Sequence, residues 1–179
     1  MASVATAILL GLALVAFIVR GNGSAAPKLT VPSGEAFGIS LAYHGDGPWS
    51  FGAAALCLSA PGNVTITGVH PLGGNGQLKP LGFATRPMPK SALGAVQGSL
   101  TKLGFPSSAT VTGRCATGAA PTELGTTWLR TGSGNGRFDS LRVEYRSAGT
   151  TGSVVIPWKL KLCGPDKRTD EACGPPDTP

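Results

Sequence analysis

The sequence has only two histidines, His44 and His70, and only four cysteines, none of them in a C-x-x-C pair. That removes the common spacings of structural zinc and thioredoxin-like redox sites. Charge is scarce too, at 13% of residues, and no block of like charge occurs. The chain therefore lacks the concentrated basic footprint, interleaved with exposed aromatics, by which a nucleic-acid binder is read. No G-x-S-x-G declares a nucleophile elbow. The glycine-rich stretches "GGNG" (73–76) and "TGSGNG" (131–136) lack the G-x-G-x-x-G spacing of a phosphate cradle and read as hairpin loops, where Asn-Gly supplies the positive φ of a tight turn. Beyond the N-terminal segment, helical periodicity never extends past about eight residues. "KSALGAVQGSLTKLG" (90–104) has room for one short helical turn.

What is present points to export and to strands. "VATAILLGLALVAFIV" (4–19) is uncharged and is stopped by Arg20. As a helix it spans roughly 24 Å, somewhat short of the hydrocarbon thickness, and Ala2 and Ser3 bring it near the lower limit for crossing a bilayer. Residues 1–20 are expected to form a transmembrane anchor, the alternative being a secretory signal cleaved in the small-residue stretch "GNGSAAP" (21–27). Residues 21–28 follow as a linker, 29–164 as the folded domain and 165–179 as a polar, proline-rich tail. All four cysteines, Cys57, Cys115, Cys163 and Cys173, lie downstream of the apolar segment. An even count behind an export segment implies two disulfides. Three connectivities are possible; the short polar loop between Cys163 and Cys173 closes easily, which leaves Cys57 with Cys115.

The domain reads as strands throughout. Glycine (27) and proline (15) punctuate runs of Val, Ile, Leu and Thr instead of forming tracts. Phe37, Ile39, Leu41 and Tyr43 alternate along one segment, and "FGAAALCLS" (51–59) is small and apolar, as in a strand covered on both sides. Within it, Ala53, Ala55 and Cys57 are expected to face inward, as are Val64 and Ile66 on the next strand. Near the C-terminus, a hairpin through "AGTT" (148–151) is expected to pair Tyr145 with Val154, Val143 with Ile156 and Leu141 with Trp158, leaving Arg142, Glu144 and Arg146 to solvent. Many short strands with turns every 8–12 residues predict an all-β fold: an immunoglobulin-like antiparallel β-sandwich of about 7–9 strands, with a closed β-barrel as the alternative.

The apolar start, "AYHGDGPW" (42–49), "LCLSAPGNVTITGV" (56–69), "LGF" and the closing "WKLKLC" (158–163) resemble small exported or membrane-anchored β-sandwich proteins of high-GC actinobacteria. The resemblance spans most of the chain from residue 29 onward. It implies a cell-envelope location and a fold, and it carries no activity and no functional residue.

Candidates for chemistry are few. His44 and Asp46 share a Gly-Pro turn, where a carboxylate can orient an imidazole for base catalysis or metal binding; a surface turn whose Asp accepts backbone N–H bonds uses the same residues. His70 ends a strand before Pro71. A blue-copper set could be assembled from His44, His70, Cys57 and Met88, but its close C-terminal clustering is missing. "NVT" at Asn63 matches the N-glycosylation triplet, which the bacterial origin implied by the resemblance would make a chance match. The expectation is a non-catalytic, single-pass envelope protein with its domain outside the cytoplasm, no cofactor and no nucleic-acid partner. It would bind the membrane through its N-terminus and a protein or an anionic envelope polymer through its domain, the net charge being +6. The alternative is an extracytoplasmic hydrolase or metal-dependent enzyme using His44 and Asp46.

Overall fold

Alternating apolar and polar residues, broken by Gly and Pro, place more than half of the described residues in strands. The computed structural model describes residues 26–32, 37–42, 45–89, 94–116, 119–165 and 173. The strands are β1 (Leu29–Thr30), β2 (Phe37–Leu41), β3 (Trp49–Leu58), β4 (Val64–Leu72), β5 (Leu78–Pro87), β6 (Ala95–Gln97), β7 (Thr110–Val111), β8 (Thr122–Arg130), β9 (Gly136–Phe138), β10 (Ser140–Ser147), β11 (Thr150–Ile156) and β12 (Trp158–Leu162). One 3₁₀ turn, Leu100–Leu103, sits in the segment expected to hold a short helical turn. The fold is all-β. Among the described residues no helix is long and apolar enough to cross a membrane; the expected N-terminal helix, residues 1–20, lies outside them.

The strands form three sheets around one core. The first runs β1-β3-β8-β5 with β6 also on β3, the second β11-β10-β4-β7, and the third β2-β12-β9. Among the named strands pairing is antiparallel except between β2 and β12, which run parallel; Leu58 also forms an isolated parallel bridge with Arg114. A strap at Ser108–Ala109 closes the seam between the first two sheets: Thr85 N donates to Ser108 O (2.7 Å) and Ile66 N to Ala109 O (2.8 Å). Phe51, Leu56 and Leu124 from the first sheet meet Val64, Ile66 and Val143 from the second and Phe138, Trp158 and Leu160 from the third.

Three local expectations are corrected. The final hairpin is slipped by two residues: Val143 pairs with Val154, Leu141 with Ile156 and Tyr145 with Gly152. Its turn is the two-residue Ala148-Gly149, both at positive φ (44° and 80°), a tighter connection than a four-residue loop. The slip is an even number, so each apolar residue keeps its face. Trp158 leaves the hairpin altogether, because Pro157 interrupts the strand and β12 joins β2 and β9 instead. On β3, a bulge between Gly52 and Ala54 changes the alternation. Ala53 is buried in the core as expected, but beyond the bulge Leu56 and Leu58 take the core face, and Ala55 and Cys57 the opposite one. Val64 and Ile66 do point inward. The two glycine-rich loops are not hairpins either: β4 and β5, like β8 and β9, lie in different sheets. The loops interlock instead. Asn75 Nδ2 donates to Asn135 O (2.6 Å), and Asn135 Oδ1 accepts from Gly164 N (2.8 Å).

All four cysteines are paired, Cys57 with Cys115 and Cys163 with Cys173, at Cα separations of 5.0 and 5.9 Å. The first fastens the crossing segment back onto β3, where Leu58 N also donates to Gly113 O.

Two stability predictions result. Ile66, 2% exposed, changed to Asp should lower unfolding free energy by at least about 3 kcal/mol through burial of an unpaired charge; an unchanged urea midpoint would place β4 outside the core. Removing Cys57–Cys115, which closes a 58-residue span, should cost about 4 kcal/mol, against about 2–3 kcal/mol for the ten-residue span of Cys163–Cys173. Melting curves of the two paired Cys→Ala variants give the order directly.

Candidate functional site

Three places on the domain assemble polar side chains, and each follows from a strand register. The first is the corner where β8 ends. Arg130 is the last residue of β8, and its side chain is only 6% exposed. Nη1 donates to the carbonyls of Gly132 and Gly134, while Nη2 donates to Asp46 Oδ1 at 2.9 Å. The guanidinium thus holds the glycine loop against the turn before β3. Asp46, Arg130, Gly132, Ser133 and Pro165 line an open hollow of about 420 Å³. The carboxylate expected to orient a catalytic imidazole is therefore bound to a buried arginine, which occupies one of its oxygens. His44 lies outside the described residues. Among those residues no cluster of three His, Cys, Asp or Glu is placed to hold a metal ion.

The second place lies on the outer face of the first sheet. Register puts Arg86 of β5 opposite Glu123 of β8. Arg86 Nε donates to Glu123 Oε2 at 2.6 Å, and Nη1 donates to Leu103 O. The guanidinium also sits 4.2 Å from the centre of the Phe105 ring. Glu123 is fully buried because residues 100–105 fold back over this face: Leu100 and Phe105 pack with Ala84 as a small second core. Gly125 permits that approach, since a Cβ there would stand 2.6 Å from Leu100 Cδ2 and 2.7 Å from Phe105 Cε1. The other oxygen of Glu123, Oε1, is buried without a hydrogen-bond partner. Beside the pair runs a cleft of about 290 Å³ rimmed by hydroxyls and prolines, among them Thr85, Ser108, Thr110, Pro106 and Pro121.

The third is the outer face of the second sheet. Arg142, Glu144 and Arg146 point to solvent as the alternation on β10 predicts. His70 of β4 stands beside them, with Nε2 3.5 Å from Glu144 Oε2. Both side chains are about half exposed, so this pair is worth under about 1 kcal/mol. Thr67, Glu144, Thr151 and Ser153 border a shallow polar depression of about 470 Å³ on this face. Tyr145 and Trp158 are buried on the opposite side. Lys159, Lys161 and Arg137 add positive charge on the third sheet, where Lys161 pairs with Arg137 across the ladder. Cys57 is a cystine half and Met88 lies just past β5, so neither joins His70 in a copper set.

The Arg86–Glu123 pair is not among the expectations drawn from sequence. Its one trace there is a glutamate at the head of an otherwise apolar and hydroxylated strand, "TELGTTWL" (122–129). Its partner is named only by the β5–β8 register. Compared with family models, curated proteins and solved structures, the chain matches none.

Changing Arg86 to Met should destabilise the domain by about 3–5 kcal/mol, because it leaves the Glu123 carboxylate buried and unpaired. Combining it with Glu123→Leu should recover most of that loss. Urea unfolding of the two variants checks the claim; equal losses in both would show that Arg86 acts by packing on Phe105 rather than by neutralising Glu123.

Proposed function

We propose that this chain is a non-catalytic cell-envelope module, held at the membrane by its apolar N-terminal segment and displaying an immunoglobulin-like β-sandwich outside the cytoplasm. The observation that carries the reading is that every cysteine is in a cystine. Such pairs persist in oxidising compartments and are rare in the cytosol. Two antiparallel sheets of five and four strands on a shared core support the sandwich reading. The domain's role is binding or structural support, and its partner is a protein or an anionic envelope polymer. Arg142 and Arg146, on either side of Glu144 on the solvent face of β10, supply the positive charge for it. Positions 142 and 146 belong to an exposed ladder whose apolar alternates are all buried, so charge there serves the surface and not the core.

An alkaline phosphatase fused after residue 30 should be active, and the full-length protein should stay in the membrane fraction through a high-salt wash. An inactive fusion puts the domain in the cytoplasm, and release into the medium indicates cleavage near Ala25 or Ala26. The domain should also co-sediment with an insoluble anionic cell-wall polymer, and Arg142→Gln with Arg146→Gln should weaken that binding. Retention unaffected by the double variant would move the binding surface elsewhere.

A further inference from the structure

We propose that β11 is the self-association edge of this protein: two copies join their second sheets by antiparallel pairing of β11 with β11 about a two-fold axis at Ser153.

The argument starts from how the edges are protected. An open edge strand is a template for another chain, and proteins blunt it with proline, charge, bulges or shortness. On the first sheet, β5 has Pro80, Pro87 and a bulge at Leu81, and its edge is met by the strap at Ser108. Strands β1, β6, β7 and β9 have two or three residues each. In contrast, β11 has seven residues, "TTGSVVI", with no proline, no charge and no bulge against β10. Among the described residues it is the longest edge strand without any such guard.

Register shows which groups that edge presents. The tight turn makes Ser147 and Thr150 the closing pair, so Tyr145–Gly152, Val143–Val154 and Leu141–Ile156 exchange the hydrogen bonds of the ladder. The N–H and C=O of Thr151, Ser153 and Val155 therefore point away from β10. No described strand pairs with them: β1 comes near β11 without hydrogen-bonding to it. The side chains of the same three residues are exposed, and Val155, at 51%, is one of two large apolar side chains left in water among the described residues.

A second copy fits this edge. Centred on Ser153, antiparallel pairing sets Ser153 against Ser153 and Thr151 against Val155 of the other copy. Each of the three residues then finds both backbone partners, and Val155 is covered by a threonine methyl. The charges agree with this arrangement. Arg142 lies beside Val155 and Arg146 beside Thr151, both on β10. Two neutral strands would separate them from the arginines of the other copy, about 14 Å at three strand spacings and beyond the Debye length of physiological salt. The interface is of the same patch on both copies, the isologous kind that closes on itself. It merges the two four-stranded sheets into one.

The test uses the full-length chain in detergent micelles, with Ser153→Cys supplying the only unpaired thiol. Two cysteines facing each other in such a pair lie within disulfide reach. Mild oxidation should give a covalent dimer on a non-reducing gel, while Thr65→Cys, exposed on the same face but two strands away, should not. Light scattering should give twice the chain mass for the wild type, and the doubling should be lost with Val155→Lys, a surface change that adds the missing edge charge. A monomeric wild type, or equal cross-linking at positions 65 and 153, would overturn the proposal. So would a doubled mass that survives Val155→Lys, which would assign association to another part of the chain. If the Ser153→Cys variant cross-linked in envelopes only to a different protein, the proposal would be overturned in favour of a foreign strand.

Discussion

Trp158 ties the third sheet to the first. It follows Pro157, which ends β11 and frees the chain to cross into the third sheet. There its ring meets Phe51 of β3 at 6.0 Å and Phe138 of β9 at 5.3 Å, and Phe138 in turn meets Trp128 of β8 at 4.7 Å. Tilted and edge-to-face contacts of this kind add to the area each ring buries. The indole N–H of Trp158 is buried without an acceptor, a cost of about 1–3 kcal/mol. The position tolerates that cost because large aromatic area from two sheets converges on it. Without this contact the third sheet would be left with the packing of Phe138, Leu160 and Leu162, and the placement of Cys163, which follows β12, would weaken.

The central strand β8 shows what a small domain does to bury a sheet on both faces. Inward, Leu124 and Trp128 fill the core. Outward, Glu123, Gly125 and Thr127 meet a flap that contributes Leu100 and Phe105. Polar groups on that covered face meet one another: Ser50 Oγ lies 2.7 Å from Thr127 Oγ1 and donates to Gly98 O, and Glu123 Oε2 accepts from Arg86 while Oε1 is left without a partner. Buried charges persist only when paired, so the flap, the glycine that admits it and the ion pair beneath it form one dependent unit. The strap after the flap then seals the seam between two sheets and is fastened by Cys57–Cys115. The placement of residues 94–116 thus rests on covalent as well as apolar restraint.

The proposed role is read from the surface of the domain. Asp46 is taken up by Arg130, and Glu123 by Arg86, so two of the few carboxylates serve architecture. The solvent faces of β10 and β12 have Arg142, Arg146, Lys159 and Lys161, with Glu144 between the two arginines. That distribution suits a module that recognises an anionic or polar partner over a broad face, and an open neutral edge on the same sheet suits assembly.

How much of this was legible in the residues differs by scale. Alternation at Leu141, Val143 and Tyr145, and the inward placement of Val64 and Ile66, follow from a period-two pattern with one buried face, and any even slip of register preserves them. The all-β class, the single short helical turn near residue 100 and the paired cysteines rest on the same local signals of pattern, turn residues and count. The register itself was not available locally. A two-residue turn at Ala148-Gly149 and a four-residue turn one step longer differ by little energy within the hairpin, and the choice falls to what β4 and the core accept. The same holds for the bulge that turns Cys57 away from the core, for the departure of β12 at Pro157, and for Arg86 finding Glu123. Sequence alone determined which residues seek burial and which turn the chain, because those are properties of single side chains and their near neighbours. Tertiary structure decided which strand lies beside which, because only the packing of distant segments makes one pairing, out of many with the same alternation, bring Arg86 to the buried Glu123 and the rings of Phe51, Trp128, Phe138 and Trp158 into one core.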